Sequence, residues 1–276
     1  MGLDLSAFRF LLLKSQEKKF GRTVTLGRQN CHTALRHIKR AGWQKKFPPN
    51  FIEEICTDIF GSFSDVDSID HSNYEGATIV HNMNSPLPKD IQTFDTVLDL
   101  GTLEHVFNIR QSIFNTTQLI SDGGRIFHVL PANNFGGHGF YQFSPELFFS
   151  IYSKKNGFEE TEVYLKPMTS SNSYYRVTMP QPGKRFLFNS IYPVYVLVSA
   201  KKVHKVEALK VQQSDYLNLW GEADAGDGAN TALTTTDMGA KTPLWDRWPI
   251  RYFYRPYILV KGSVSSFNPN LSKIRF

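Results

Sequence analysis

The chain has 276 residues, of which 41% are hydrophobic and 14% aromatic, and it carries 31 Lys and Arg against 25 Asp and Glu. This length suits one large domain, or one domain with a substantial appendage, and is ample for a buried core, so a disordered or fibrous chain is not expected. The two cysteines, Cys31 and Cys56, are too few for a disulfide scaffold and fit a reducing compartment.

Helices and strands alternate along the first two hundred residues. Helices are predicted where apolar residues recur at helical spacing, and strands where four to eight apolar residues run together. Asn30, Asn108 and Ser144 are candidate helix caps, and Gly42, Gly61 and Gly157 are candidate helix ends. In chain order, the predicted elements are a helix over 3–19, a strand over 23–26, helices over 30–41 and 50–60, strands over 66–70, 77–82 and 94–98, a helix over 108–121, a strand over 125–130, a helix over 144–156, and strands over 160–165 and 192–200.

This order of elements predicts a doubly wound α/β domain over residues 1–203. Several strands are continuously apolar, which is typical of a mainly parallel sheet with helices on both faces. Such sheets bind ligands beyond the carboxyl ends of their strands. The residues that directly follow each strand are therefore the candidate site residues.

Residues 204–276 have a different composition and form a predicted C-terminal extension. The segment 221–244 is rich in Gly, Ala, Thr and Asp, which predicts a mobile loop. The segment 245–260 is rich in Trp, Tyr and Phe, so it should pack back on the domain or form a homo-oligomer contact. A lid over the site, or a wall for the acceptor, is the functional alternative.

The positive charge lies near the N-terminus. Residues 1–46 hold 11 Lys and Arg and 2 Asp and Glu (11 − 2 = +9), whereas the rest hold 20 and 23 (20 − 23 = −3). This basic region could attract an anionic partner, or it is a solvated helix face. No nucleic-acid-binding motif accompanies it, so nucleic acid is not an expected partner.

The sequence also bears on location. No apolar run reaches the ~18 residues that a membrane span needs. The N-terminus lacks the zones of a secretory signal. A cytoplasmic protein without a membrane span is therefore expected.

A motif in the middle of the chain resembles a known family. The sequence FDTVLDLGTLEHV from Phe94 to Val106, followed by a helix and then by LISDGGRI from Leu119 to Ile126, is similar to the region between the fourth and fifth strands of class I S-adenosylmethionine-dependent methyltransferases. Ser68-Ile69-Asp70 is similar to that family's second strand, which ends in a ribose-binding acid. The resemblance covers roughly residues 20–165 and implies a seven-stranded sheet, S-adenosylmethionine as cofactor, and methyl transfer to oxygen or nitrogen of a small molecule such as a sugar or another metabolite.

The resemblance also implies roles for residues after the strands. Gly27 and its neighbours would line the amino-acid end of the cofactor, Asp70 would accept from the ribose hydroxyls, and Asn82 and Met83 would face the adenine. Residues 99–101 would form the floor beneath the sulfonium. The implied cofactor-binding residues are Gly27, Arg28, Gln29, Asp70, Asn82, Met83, Asp99, Leu100 and Gly101.

One departure from the family keeps other functions open. The loop after the first strand has Gly27 alone where the family has several glycines, which allow positive φ and close approach to the ligand. The cofactor is then held differently or not at all, and a catalytically silent binding or assembly module is the alternative. A nicotinamide-dependent oxidoreductase is a third hypothesis, and the absence of the G-x-G-x-x-G fingerprint speaks against it.

The candidate catalytic residues follow the fourth and fifth strands. We expect His138 or Tyr141 to orient or deprotonate the acceptor, because both lie in a glycine-containing polar loop at the expected mouth of the site. His105 is a further candidate, although it could simply start and pack a helix. Convergence of Glu104, His105, His128 and His138 on a metal ion is conceivable, but their spacing matches no standard ligand motif, so no metal site is predicted.

Overall fold

The fold is known from a computed structural model, which describes residues 2–63, 66–169, 172–180, 186, 188–214 and 271–275. The predicted mobile loop over 221–244 and the aromatic segment 245–260 lie outside the described residues. Among the residues that are described, no helix combines the length and the apolar character needed to cross a bilayer.

In the described part of the chain, nine strands form a single sheet. They are β1 (Thr23–Leu26), β2 (Asp67–Asp70), β3 (Ile79–Val80), β4 (Phe94–Asp99), β5 (Ile120–Asn133), β6 (Phe158–Pro167), β7 (Ser173–Val177), β8 (Val194–Lys202) and β9 (Leu271–Arg275). Their spatial order is β3-β2-β1-β4-β5-β8-β6-β7-β9. From β1, the chain adds β2 and β3 on one side and then β4 and β5 on the other side. This change in the order of the strands makes the sheet doubly wound, as predicted.

The sheet is mixed, and it is larger than the seven-stranded, mainly parallel sheet expected from the sequence. The pairs β1–β2, β1–β4, β2–β3 and β4–β5 are parallel. The pairs β5–β8, β6–β8, β6–β7 and β7–β9 are antiparallel. β7 and β9 are the two additional strands, and they come from segments in which the sequence has no clear strand pattern.

Helices cover both faces of this sheet. They are α1 (Leu5–Glu17), α2 (Leu35–Arg40), α3 (Glu53–Ile55), which continues as a π-helical turn over Cys56–Phe60, α4 (Ile109–Leu119) and α5 (Pro145–Ile151), with 3-10 turns at Leu103–His105 and Lys154–Asn156. On β5, Phe127 packs with α1, α2 and α3, whereas its neighbour Ile126 packs with α4 and α5. Consecutive residues of a strand point to opposite faces, so the two hydrophobic clusters are the two sides of the sheet.

The first of these sides is built around aromatic rings. Phe20 stacks on Phe127 with ring centroids 5.2 Å apart and also contacts Phe60 at 5.1 Å, and all three rings are almost completely buried. Burial of each ring contributes on the order of 2 kcal/mol. This packing holds the helices that follow β1 against the sheet.

The helix ends show where local sequence signals succeed. Asn108 caps α4, since its side-chain oxygen accepts from the backbone N–H of Gln111, and Gly61 ends the π-helical turn with φ of +74°. The predicted cap at Asn30 is wrong, because Asn30 pairs with Phe51 in an isolated β-bridge and α2 begins only after Ala34. Ser144 lies at the N-cap of α5 as predicted, with no side-chain capping bond.

The described parts of the C-terminal extension are attached to the domain. Asn156 binds the backbone of Lys210 in both directions, at 2.8 and 3.0 Å, and Ser150 does the same with Gln212. β9 continues the sheet beyond β7. The division of the chain at residue 203 remains a prediction.

Candidate functional site

A cavity of about 540 Å³ lies at the carboxyl ends of β1, β2 and β4. This is the edge of a doubly wound sheet at which ligands bind, and the volume is typical of small-molecule sites. The wall comes from the segments that follow these strands, and it consists of Gly27, Arg28, Gln29, Asn30, Ile69, Asp70, His71, Glu75, His81, Asn82, Met83, Asn84, Gly101, Thr102, His105 and Val106.

Gly27 makes the turn at the base of this cavity. Its φ is +68°, and its N–H donates to the carbonyl of Ile69 at 2.7 Å. A Cβ at this position would lie 2.8 Å from Oγ1 of Thr102 and 3.1 Å from Nε2 of Gln29. Both the backbone conformation and the lack of space therefore require glycine here.

Gln29 holds the loop in place where the family has further glycines. Its side chain is only 6% exposed, and Nε2 donates to the carbonyl of Leu26 at 2.6 Å and to Oγ1 of Thr102 at 3.0 Å. The hydroxyl of Thr102 donates to the same carbonyl at 2.6 Å. These bonds fasten the loop to the ends of β1 and β4.

Arg28 is directed toward α3 and the loop after β2. Its guanidinium stacks over the ring of Phe51 at 4.1 Å, and Nε donates to Oε1 of Glu53 at 3.0 Å. Nη1 donates to the carbonyls of Glu75 and Gly76. Arg28 and Gln29 thus line the cavity without filling it.

Asp70 ends β2 at the rim of the cavity. One carboxylate oxygen accepts from the N–H of His71 at 2.6 Å, and the other accepts from the N–H of Arg28 at 3.3 Å. A carboxylate offers about four acceptor positions. Asp70 therefore keeps acceptor capacity toward the cavity.

Asn82 and Met83 follow β3 and lie in the cavity wall, as predicted. Met83 is buried and supplies an apolar surface. The side-chain oxygen of Asn82 already accepts from the backbone N–H of Asn84 at 3.0 Å and from its side-chain amide at 2.8 Å. Both lone pairs of this oxygen are therefore used within the protein, so Asn82 can face an adenine but cannot accept a hydrogen bond from its amino group in this conformation.

Only one of the three residues expected to form the floor reaches the cavity. Gly101 lines it, whereas Asp99 and Leu100 are completely buried beneath it. Asp99 accepts from the N–H of Thr102 at 3.0 Å and pairs with Nδ1 of His128 at 2.8 Å. Asp99 therefore supports the turn that carries Gly101 and Thr102.

His105 and His138 are brought together at the rim of the cavity. Their ring centroids are 4.9 Å apart and the rings are almost perpendicular, and His105 belongs to the cavity wall. Burial lowers the pKa of both imidazoles, and the neighbouring His138 adds to the effect on His105. Tyr141 does not join this pair, because its hydroxyl donates to the carbonyl of Phe107.

Glu104 lies directly behind the two histidines and is completely buried. Its Oε1 is 3.3 Å from Nε2 of His138 and 3.8 Å from Nε2 of His105, yet neither carboxylate oxygen makes a hydrogen bond within the described part of the chain. Burial, with a smaller contribution from the Asp99 carboxylate, raises the pKa of Glu104 to about 8. His128, the fourth candidate of the sequence analysis, is held away from this group by Asp99 and Tyr152.

The loop that carries His138 is anchored on the 3-10 turn that carries Glu104. The N–H of Phe140 donates to the carbonyl of Glu104 at 2.7 Å, and the ring of Phe140 packs edge-on against that of Phe107. Gly139 has φ of +72°, and a Cβ there would lie 2.7 Å from the carbonyl oxygen of Glu104. This close approach of two segments that are distant in sequence creates the Glu104, His105 and His138 cluster.

Sequence reasoning missed several wall residues. Thr102 could have been found, since it follows Gly101 in the motif and its hydroxyl can reach the neighbouring strand. The pattern around Asn30 indicates a helix cap, and nothing in the chemistry of Ile69 or Val106 singles them out. His71, Glu75, His81 and Asn84 reach the cavity through the course of the loops after β2 and β3, which no sequence signal marks. The missed wall residues are Asn30, Ile69, His71, Glu75, His81, Asn84, Thr102 and Val106.

Comparison with known proteins adds similarities in structure. No family model and no curated protein matches the sequence. The chain is similar to a S-adenosylmethionine-dependent methyltransferase from Thermotoga maritima, with a TM-score of 0.37, 14% identity, and coverage of 70% of this chain and 88% of that one. It is also similar to the N-methyltransferase NodS from Bradyrhizobium japonicum, solved with S-adenosyl-L-homocysteine, with a TM-score of 0.39, 11% identity, and coverage of 73% and 89%.

A third similar structure is a complex of the Haloferax volcanii Trm112 methyltransferase activator with a candidate methyltransferase, with a TM-score of 0.44, 9% identity, and coverage of 72% of this chain and 90% of that one. Several solved structures that resemble this chain are thus described as methyltransferases, some of them S-adenosylmethionine-dependent, and another is described as a candidate Zn-dependent alcohol dehydrogenase from Rhodobacter sphaeroides. At these identities, the argument about function depends on the geometry of the site itself.

Proposed function

We propose that this protein is an S-adenosylmethionine-dependent methyltransferase that acts on oxygen or nitrogen of a small-molecule acceptor. The observation that carries the proposal is the open cavity at the ends of β1, β2 and β4, with the Gly27 turn at its base and the Asp70 carboxylate at its rim. The motif from Phe94 to Val106 places Gly101 and His105 in the wall of that same cavity.

The residues present fit this cofactor. Asp70 has acceptor positions left for two adjacent hydroxyl groups, such as those of a ribose. Ile69, Met83 and Val106 give the wall apolar surface for a flat heteroaromatic ring. We assign Gly27, Arg28 and Gln29 to the amino-acid end and Gly101 to the sulfonium, with Asp99 and Leu100 supporting the floor from below.

When bound, S-adenosylmethionine supplies a methyl group that is already activated on a positively charged sulfur. The remaining task of the protein is to align the acceptor and to receive a proton where the acceptor is a hydroxyl. His105 and His138 suit the second role, because burial lowers their pKa values and so favours the neutral imidazole, which is the form that can accept a proton. Tyr141 suits a positioning role, since its hydroxyl fastens the loop of His138 to Phe107.

The catalytically silent binding module remains the second candidate. Its support is the fastening of the loop after β1 by Gln29 and Arg28, together with the occupied side-chain oxygen of Asn82. An anionic acceptor also remains a prediction. The basic residues of α2 lie outside the cavity wall, so they do not support the prediction of an anionic acceptor.

Calorimetry of the full chain with S-adenosyl-L-homocysteine tests the proposal, because this product binds without turnover. We expect saturable binding that Asp70→Ala weakens at least about tenfold, the equivalent of ~1.4 kcal/mol. Asp90→Ala is the matched control, since Asp90 is an exposed carboxylate outside the cavity wall. Absence of binding at millimolar concentration in a correctly folded chain would instead favour the silent module.

A further inference from the structure

The cluster of Glu104, His105 and His138 has the composition of a metal site. One carboxylate oxygen and two imidazole nitrogens lie within 4.8 Å of one another. Two imidazoles and one carboxylate form a common set of protein ligands for catalytic zinc and for other divalent transition metals. Two of the three ligands are adjacent in sequence, and the third arrives on the loop that follows β5.

The spacing of the ligand atoms is close to what a metal ion requires. With metal–ligand bonds of about 2.1 Å, ligands in a tetrahedral site lie about 3.4 Å apart. Oε1 of Glu104 is 3.3 Å from Nε2 of His138 and 3.8 Å from Nε2 of His105. The three ligand atoms all lie within 4.8 Å of one another, so they already surround one point.

The polar atoms of the cluster also lack partners. Both carboxylate oxygens of Glu104 and Nε2 of His138 are buried, and none of them makes a hydrogen bond with the residues that the structure describes. Buried polar groups are nearly always satisfied in folded proteins, so each exception needs an explanation. A bound cation would partner all three atoms at once and would balance the charge of the carboxylate.

The anchoring of the loop supports a built site rather than a chance approach. The bond from Phe140 to the Glu104 carbonyl and the tight contact of Gly139 fix the loop on both the backbone and the side chain of Glu104. The hydroxyl of Tyr141 adds a second attachment at Phe107. The backbone is therefore held where His138 meets Glu104 before any ligand binds.

We propose that Glu104, His105 and His138 bind one divalent transition-metal ion, of the kind represented by Zn²⁺, at the rim of the cavity. Three protein ligands leave at least one coordination position open. His105 lies in the cavity wall, so a hydroxyl oxygen of the acceptor can fill that position and lose its proton to water more readily there. With the metal bound, the two imidazoles act as ligands, and water takes the proton that an imidazole would receive in the metal-free protein. This role of the acceptor rests on the proposed methyl transfer, whereas the metal site itself does not.

Titration of the metal-stripped full chain with Co²⁺ tests the site, with visible absorption as the signal, and Zn²⁺ is then used in competition. We expect one ion per chain and displacement of Co²⁺ by an equivalent of Zn²⁺. His138→Gln should weaken Co²⁺ binding at least about a hundredfold. His71→Gln is the matched control, since His71 belongs to the same cavity wall but lies outside the cluster, and it should bind Co²⁺ as the natural chain does.

A second variant distinguishes the loss of a metal ligand from a folding defect. Glu104→Gln should also lose Co²⁺ binding while it keeps the far-UV circular dichroism of the natural chain, because it removes a buried carboxylate that has no hydrogen-bond partner. Acetohydroxamate is a suitable oxygen-donor probe, and it should change the Co²⁺ spectrum because a coordination position remains open. An unchanged spectrum would remove the acceptor part of the proposal.

The outcomes separate this inference from the proposed function. No saturable Co²⁺ or Zn²⁺ binding, or equal binding by the natural chain and His138→Gln, overturns the metal site. S-adenosyl-L-homocysteine binding by the metal-free chain, measured in parallel, reports on the cofactor alone. Cofactor binding without metal binding would leave the methyltransferase proposal standing, and the reverse result would leave only the metal site.

Discussion

His128 hydrogen-bonds to Asp99 through Nδ1 at 2.8 Å, and both side chains are completely buried beneath the cavity. On the other side of the ring, Nε2 is hydrogen-bonded to the hydroxyl of Tyr152 at 2.6 Å. These two bonds together fix the orientation of the imidazole ring. They connect the end of β4, and thus the turn that carries Gly101 and Thr102, to β5 and to the residue that follows α5.

Tyr152→Phe should destabilise the chain by about 1–3 kcal/mol, because it leaves a buried imidazole nitrogen without its hydrogen-bond partner. Urea denaturation at pH 7 measures the effect. Tyr192→Phe serves as the control, since Tyr192 is 38% exposed, and it should change stability by less than about 0.5 kcal/mol. A Tyr152→Phe variant as stable as the natural chain would show that the buried bond contributes nothing.

Gly27→Ala should destabilise the chain by more than about 1 kcal/mol and weaken S-adenosyl-L-homocysteine binding. The new Cβ meets Oγ1 of Thr102 at 2.8 Å in addition to the cost of a positive φ. Gly42→Ala separates the steric contact from the cost of a positive φ, because Gly42 also has a positive φ but no described atom lies within 4 Å of the new Cβ. An equal loss of stability in both variants, with S-adenosyl-L-homocysteine binding unchanged in Gly27→Ala, would contradict the close packing of this loop.

Stability should depend on pH through Glu162. Burial alone raises the pKa of this carboxyl, but the hydrogen bond and charge of Lys14, with the charge of Arg176, outweigh burial and hold the pKa below its ordinary value. A lowered pKa in the folded state contributes stability that is present above the unfolded pKa and is lost as pH falls through the folded pKa. We therefore expect the contribution of Glu162 to disappear below about pH 4.

Glu162→Gln tests this dependence in urea denaturation at pH 7, 5 and 3. The variant should be less stable than the natural chain at pH 7, and the difference should shrink toward pH 3. Glu159→Gln is the control, since Glu159 pairs with the partly exposed Lys201 and an exposed pair contributes little. A deficit of Glu162→Gln that stays constant with pH would point to packing instead of charge.

Tyr141→Phe should lower turnover by less than about tenfold, because the hydroxyl bonds to Phe107 and does not line the cavity. His138→Gln should lower turnover much more, since general acid–base groups typically contribute about a hundredfold or more. The comparison requires a methyl-transfer assay on an accepted substrate with S-adenosylmethionine at saturation. A larger loss for Tyr141→Phe than for His138→Gln would return Tyr141 to a direct catalytic role.

The order of helices and strands could be read from the sequence because it depends on local patterns. The apolar run at the fourth strand and the glycine after the third helix both act within a few residues, and both predictions agree with the structure. Asn30 shows the limit of this reasoning. Its neighbourhood resembles a helix start, yet pairing with Phe51 takes it into a β-bridge.

The candidate site could be predicted only in part, for a similar reason. The end of each strand is a local feature, so Gly27, Asp70 and Gly101 were found in the cavity wall. The meeting of Glu104 with His138 depends on the folding of a loop 34 residues further along the chain (138 − 104 = 34). Loop paths of this length are set by tertiary contacts, so the spacing of residues along the sequence does not predict them.

The strand β9 adds five residues, Leu271–Arg275, to the outer side of β7. A shortened chain that ends before this strand would expose the backbone donors and acceptors of β7 to water. β7 would then be an exposed edge strand, and exposed edge strands favour self-association. Fragments designed around the α/β domain should therefore retain these last residues or carry charged substitutions on β7. β9 thus covers the backbone of β7 and is itself the short edge strand on this side of the sheet.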